Sequence, residues 1–435
     1  MPYTTSEYLR MYTAKRGSVE DCLTYIRSHD TLGVAGDCNE PEPLLEKFHT
    51  IVNHVEDVVV YKGRTGNYKF LNDETVNGHI NTAGFFYGDA WRAAHKSGVV
   101  SLIPTDLCDF ATFVSQTRPV TVFVAAVSPM DKYGNFNVGL SQMWEREFLA
   151  TADRILLEVN SNLPSVAGGL RINIKDVTCF YESDHPIMEV ASKEPTPDEK
   201  KIAQYCRSLM HDGDCIQLGI GSLPNALASE MMDLKDLGIH TEMFTSAMGE
   251  MIRTGVATGE RKQIDVGVHI GTFAGGDKEL YRTLGEIPTC RITSCSYANN
   301  PAVIMKNDNM VSVNTCIEMD ITGQVCSESI GPKQYSGAGG AMDFAYGALH
   351  SKGGRGILAF LSTTKNGTIS KIKCSLTPGS VVTIPRTYVD YIVTEYGIAH
   401  LRGRTVRERT EALINIAHPD FREELRQQAR ELFYI

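Results

Sequence analysis

The chain has 435 residues, of which 42% are hydrophobic and 22% charged, the composition of a globular protein with a substantial core rather than of a disordered or fibrous one. Its formal net charge of −10 excludes nucleic acid as the main partner, because phosphate backbones need concentrated positive charge, while leaving room for local sites that take small anions. No uninterrupted apolar run approaches the length needed to span a bilayer, and the opening segment Met1–Glu7 is polar with an early acid, so the chain reads as cytoplasmic, without a membrane partner.

At this length a single hydrophobic core is exceeded, and the expected architecture is two open α/β domains with a cleft between them. The first half carries short β-branched runs, Val58–Tyr61, Val120–Val127 and Ile155–Val159, each apolar on both faces as strands of a helix-covered parallel sheet must be. The breaker-rich stretch Ser128–Asn135 is a loop. Ser192–Lys201 has two prolines and no apolar residue, which predicts an exposed linker. The domain boundary is therefore placed near 190–197, giving an N-terminal domain over 1–192 and a C-terminal domain over 193–435. Thr196 or Pro197 opens an amphipathic helix that runs through Ile202 and Leu209. Strands are expected again at Cys215–Leu218, Met310–Asn314, Gly356–Leu361 and Ser380–Ile384, and helices at Thr405–Ala417 and Asp420–Leu432.

The 11 cysteines are scattered without a CxxC pair, so neither a zinc knuckle nor a disulfide framework is indicated and free thiols are expected. The histidines form no HExxH and no i, i+4 pair beside a carboxylate, and no metal site is expected.

The chemistry-bearing signal lies at 215–242. The strand Cys215–Leu218 enters the loop Gly219-Ile220-Gly221-Ser222-Leu223-Pro224, a helical run from Pro224 to Met232 follows, and the stretch closes on His240-Thr241-Glu242. Glycines leave backbone N–H groups open to a ligand, and a helix N-terminus favours anions. The spacing lacks the third glycine of a dinucleotide fingerprint and the Lys-Ser/Thr of a P-loop, so a tight turn explains the loop as well as a ligand does. A second glycine-rich segment, 329–344, with Gly337, Gly339 and Gly340, reads either as an oxyanion hole or phosphate nest or as a turn-rich connection. A third, 393–403, ends a strand in a polar loop, where Glu395 is either a site-lining acid or a strand-end acid. Glu242 taken alone reads as a surface acid.

The order of these pieces resembles the class I CoA-transferases of the acetyl-CoA hydrolase/transferase family, in particular the 4-hydroxybutyrate and butyrate CoA-transferase branch. The resemblance rests on the glycine loop 219–224, His-Thr-Glu-Met at 240–243, Ser-Gly-x-Gly-Gly-x-x-Asp-Phe at 336–344, Val-Thr-Glu-Tyr-Gly-Ile-Ala at 393–399 and Ile414–Phe421, with Val127–Asp131 and Glu158–Asn160 in the first half. It implies that Glu242 is the nucleophile and that Gly219, Ile220, Gly221, Ser222 and Leu223 form the CoA-binding loop. It implies further that the Gly340 amide helps hold the thioester oxygen, and that Lys365 and Asn299 contact CoA or the site. The implied reaction moves CoA between a short-chain acyl-CoA and a free carboxylate through a glutamyl-CoA thioester, with acyl-CoA as substrate, no permanently bound cofactor and no metal; acyl-CoA hydrolysis, or silent CoA binding, is the alternative. A homodimer or homotetramer is implied. No step of this chemistry obliges a histidine, so His240, His400 and His418 are expected to be structural. Two departures, Ala341 where many relatives carry Gln and Thr245-Ser246-Ala247 where they carry Ser-Asp-Gly, bear on the preferred carboxylate and leave the nucleophile untouched.

Overall fold

The computed structural model describes residues 4–63, 65–191, 193–364 and 366–435. The chain divides into two compact units, one formed by 1–190 with 270–298, the other by 191–269 with 299–435. It therefore passes from one unit to the other three times, and the linker-like segment accounts for the first passage. Residues 270–298 are tied into the first unit by an antiparallel bridge from Phe273 to Ser141 and by the Cys295 thiol, which donates to the carbonyl of Leu107 at 3.1 Å.

The first unit is built on a seven-stranded sheet whose strands are β1 (Thr31–Val34), β2 (Val58–Tyr61), β3 (Ile80–Gly84), β4 (Val100–Leu102), β5 (Val122–Val127), β6 (Arg154–Asn160) and β7 (Cys179–Ser183). Their spatial order is β4-β3-β2-β1-β5-β6-β7, and every pairing is parallel. Every residue of β1, β2 and β5 is buried, which is why these strands are β-branched on both faces instead of alternating. The chain steps outward from β1 to β4, then returns to the other flank of β1 and steps through β5 to β7. This reversal makes the carboxyl ends of β1 and β5 a topological switch point, the place where open α/β sheets take ligands.

The loop leaving β1 is held rigidly at that point. Asn39 donates to the carbonyl of Ala126 at 2.7 Å and accepts from the amide of Leu140 at 3.0 Å. The buried carboxyl of Glu145 accepts from the amides of Gly36 and Trp144, both at 2.9 Å, and from the Ser141 hydroxyl at 2.8 Å. Behind the loop, Glu40 pairs with the buried Lys62 at 2.7 Å.

The second unit has a six-stranded sheet of β8 (Cys215–Leu218), β9 (Gly238–Ile239), β10 (Met310–Asn314), β11 (Arg355–Ala359), β12 (Tyr391–Thr394) and β13 (Gly397–His400), ordered β9-β8-β10-β11-β12-β13. All pairs are parallel except β12 with β13, which form an antiparallel hairpin at the edge. Here the order reverses between β8 and β10, and Gln217 and Asn314 clamp the carboxyl ends of these two strands by reciprocal amide hydrogen bonds of 3.0 and 3.1 Å. The helices Val406–Ile416 and Pro419–Glu431 form where expected, the first fixed by a capping box between Thr405 and Glu408. Ser380–Ile384 is not a strand: only Ile384 bridges, to Val325, and Val381 and Val382 stand 43% and 39% exposed. Its apolar run has no partner strand to bury it, so composition alone misleads there.

Burial is the largest influence on Glu145 and pushes its carboxyl up to about 7, against the Gly36, Ser141 and Trp144 donors that pull it down. A carboxyl whose folded value lies above the unfolded value of 4.5 takes up a proton on folding between those limits, so the stability it contributes is full below pH 4.5 and is lost as pH rises through about 7. The difference of roughly 2.5 between those values corresponds to about 3 kcal/mol. The melting temperature is accordingly expected to fall more between about pH 5 and about pH 8 in the wild type than in Glu145→Gln; parallel pH profiles for the two proteins would contradict this.

Candidate active site

The glycine loop lies at the switch point of the second sheet. Gly219 leaves β8 with its amide bonded to the carbonyl of Val313 at 3.2 Å, Ile220 is exposed, and Gly221 turns the chain at φ 121°. An L side chain rarely adopts that conformation, so a glycine is required there. The helix α2 (Ser222–Glu230) begins two residues before Pro224, with Ser222 and Leu223 in its first turn and no side chain capping it. Preceding it, α1 (Pro197–Arg207) starts with a capping box in which Glu199 accepts from the amide of Thr196 at 2.7 Å. The second oxygen of the same carboxylate accepts from the Ser222 hydroxyl at 2.5 Å. Burial raises the Glu199 carboxyl, but the Ser222 and Thr196 donors together outweigh it and hold the group below its ordinary value. The first turn of α2 is thus fastened to α1 through one ionised side chain.

Glu242 follows β9, the neighbour of β8. His240 continues the ladder by donating its amide to Ile216 at 3.1 Å, and His240 and Thr241 before the acid and Phe244 after it are fully buried. Glu242 itself is half-buried. Because β8 and β9 are parallel and about 4.8 Å apart, the glycine loop and Glu242 emerge from the same edge of the sheet.

Two further predicted residues converge on this acid. The side chain of Asn299, with no solvent exposure, donates its amide to Glu242 Oε2 at 2.9 Å. Gly340, which precedes α3 (Ala341–His350), lies so close that a Cβ built on it would fall far inside contact distance of Glu242 Oε2 and of Asn299 Nδ2. The absence of a side chain at 340 is what lets the backbone, the amide and the carboxylate come together. Lys365 lies outside the described residues.

Other acids and histidines sort themselves by their partners. Glu395, at the end of β12, is buried and accepts from the amide and the hydroxyl of Ser362 at 2.9 and 2.5 Å, joining the carboxyl ends of β11 and β12. His240 is fully buried with Nδ1 3.5 Å from the Asn307 amide, His400 pairs with Asp390 at 3.1 Å, and His418 accepts from the amide of Asp420 at the start of a helix at 3.3 Å. Each of the three has a partner within the fold. One contributor had no assigned role from sequence: Asp343, inside the Gly-Gly-x-x-Asp-Phe segment, is buried with Oδ2 3.4 Å from Asn299 Nδ2. Among the described residues no group of three or more His, Cys, Asp or Glu side chains is placed to hold a metal ion.

The arrangement sets a half-buried carboxyl group beside the Asn299 amide that donates to it and beside the side-chain-free Gly340, on the sheet edge that carries a glycine loop. Nucleophilic attack on a carbonyl needs a carboxylate with N–H donors near it, and groups of both kinds meet here.

Residues 3–191 match the acetyl-CoA hydrolase/transferase N-terminal domain and residues 276–429 the C-terminal domain of the same name. The chain is 38% identical to the 4-hydroxybutyrate coenzyme A transferase of Clostridium kluyveri over 98% of this chain and 100% of the relative. It is 44% identical to the probable butyrate:acetyl-CoA coenzyme A-transferase of Syntrophomonas wolfei over 72% of each. Among solved structures, RipA from Yersinia pestis superposes with a TM-score of 0.93 at 33% identity, over 98% of this chain and all of that one. The acetyl-CoA hydrolase of Yarrowia lipolytica is more distant, 24% identical over 64% of this chain.

A Cβ at residue 340 would have to displace the Glu242 carboxyl group and the Asn299 amide. Gly340→Ala is therefore expected to lose on the order of a hundredfold in kcat, the effect of misplacing an oxyanion donor, with the melting temperature nearly unchanged. Near-normal kcat in this variant would show that the close approach has no part in turnover.

Proposed function

We propose, for a chain that belongs to the acetyl-CoA hydrolase/transferase family and is a CoA-transferase, that Glu242 carries CoA covalently between a short-chain acyl-CoA and a free carboxylate. The observation that carries this reading is the meeting of the Glu242 carboxylate, the Asn299 amide and the side-chain-free Gly340 at one edge of the second sheet. Glu242 attacks the acyl-CoA carbonyl and the C–S bond breaks, giving an acyl-glutamyl anhydride and the CoA thiolate. The thiolate attacks the glutamyl carbonyl, the first acid leaves as its carboxylate, and a glutamyl-CoA thioester remains. An incoming carboxylate then reverses the two steps. No ATP is consumed, because each intermediate keeps the acyl group activated.

Each addition places negative charge on a carbonyl oxygen, where the Asn299 amide and the Gly340 N–H act. The CoA chain is held by Gly219, Ile220, Gly221, Ser222 and Leu223, with Lys365 as a further contact, so that binding energy remote from the thioester is turned into positioning. Acyl-CoA is the substrate and no resident cofactor takes part. The acids are of the size named for the relatives, 4-hydroxybutyrate, butyrate and acetate, and Ala341, in the first turn of α3, is read as a position that influences the choice among them. The enzyme works as a homodimer or homotetramer in the cytoplasm, where its cysteines stay as thiols.

Transfer and hydrolysis differ in what accepts the acyl group. Initial rates with acetyl-CoA and butyrate are expected to give parallel double-reciprocal plots, with butyryl-CoA and acetate formed together and little free thiol accumulating whether or not a carboxylate is present. Glu242→Gln is expected to lose at least about a thousandfold in kcat. Full-rate thiol release without an acid would make the protein a hydrolase, and intersecting plots would rule out the covalent route.

A further inference from the structure

The donor set around Glu242 contains an anion that the reaction itself does not use. Asp343 sits in the first turn of α3, buried from solvent, and its Oδ2 lies 3.4 Å from Asn299 Nδ2, the same nitrogen that donates to Glu242 Oε2 at 2.9 Å. The two N–H bonds of one amide group therefore face two carboxylates. The remaining atom, Asn299 Oδ1, is buried and accepts no hydrogen bond among the described residues. Turning the amide over would set Oδ1 against two carboxylate oxygens, so the orientation is decided by charge.

Resting on the reading of Glu242 as the nucleophile, we propose that Asp343 is a positioning residue: its carboxylate keeps the Asn299 amide turned with N–H toward residue 242 throughout the reaction cycle. The need arises because Glu242 changes charge. As a free carboxylate it orients Asn299 unaided. As an anhydride or a thioester it is neutral, and its pull on the amide drops at the stage when a donor must already be aimed at the next oxyanion. Asp343 forms no bond to substrate, so its hydrogen bond from the Asn299 amide holds the donor in place when Glu242 cannot.

Asp343→Asn keeps the shape and removes the charge, and the new amide can donate to Asn299 Oδ1 and turn it over. With acetyl-CoA and butyrate as substrates, kcat is expected to fall about tenfold or more while KM for acetyl-CoA moves less than about threefold, because the loss falls on transition-state stabilisation. In an Asn299→Ala background the same substitution is expected to change kcat by less than about twofold, because its target is gone. Unaltered kcat in the single variant overturns the inference, as does an equal further loss in the Asn299→Ala background, which would mean that Asp343 acts structurally. If Asp343→Asn does not fold, as judged by melting temperature, Asp343→Ala removes the charge without adding a donor and is read by the same two criteria. Wild-type protein that transfers no CoA, or Glu242→Gln protein that keeps its kcat, would instead sink the reading of Glu242.

Discussion

Everything proposed for the site depends on one close approach: the carboxylate of Glu242, the amide of Asn299 and the backbone at Gly340 occupy a space that a single methyl group at 340 would fill. The fold supplies each partner from a different direction. Glu242 arrives from β9, held between buried neighbours. Asn299 precedes the helix Pro301–Ile304, which Asn300 caps by accepting from the amide of Ala302 at 2.9 Å. Gly340 stands at the mouth of α3. A carboxylate alone at the end of a strand is an ordinary surface acid; on the proposed reading, a fixed donor on one side and bare backbone on the other make it a nucleophile whose tetrahedral products are stabilised in advance.

The two sheets solve the same problem at their switch points by different means. In the first unit the loop after β1 is immobilised by Asn39, Glu145 and the Glu40–Lys62 pair. In the second, the β8 loop is left with a glycine at a φ few other residues tolerate, and the helix behind it is fastened to α1 through Ser222 and Glu199. For the second sheet a rigid carboxyl edge matters to the proposed chemistry, because a nucleophile misplaced by an ångström loses much of what positioning contributes.

Much of this was legible in the sequence. The strands at 58–61, 155–159 and 310–314 declared themselves because burial on both faces favours short, mostly apolar runs rich in Val and Ile, and Thr405 and Glu408 declared a helix start by local chemistry. Ser380–Ile384 has the same composition but no neighbouring strand, a fact that no local pattern records. The passages of the chain at 269/270 and 298/299 carry no shift of composition, unlike the proline-rich linker before α1. Glu242, Asn299 and Gly340 are far apart in the chain, so their meeting came from resemblance to a family and not from periodicity. The role of Asp343 was invisible in a one-dimensional motif, since it depends on which way the Asn299 amide faces.

The central claim is that Glu242 becomes a thioester. Protein incubated with acetyl-CoA and no acceptor, reduced with borohydride and digested for peptide mass mapping tests it most directly, because reduction converts a glutamyl thioester to a stable alcohol. The account predicts that conversion at Glu242, dependent on acetyl-CoA and lost when the charged protein is separated from acyl-CoA and then treated with excess butyrate before reduction. An unmodified Glu242 in protein that turns over, or the alcohol at any other acid, would contradict it.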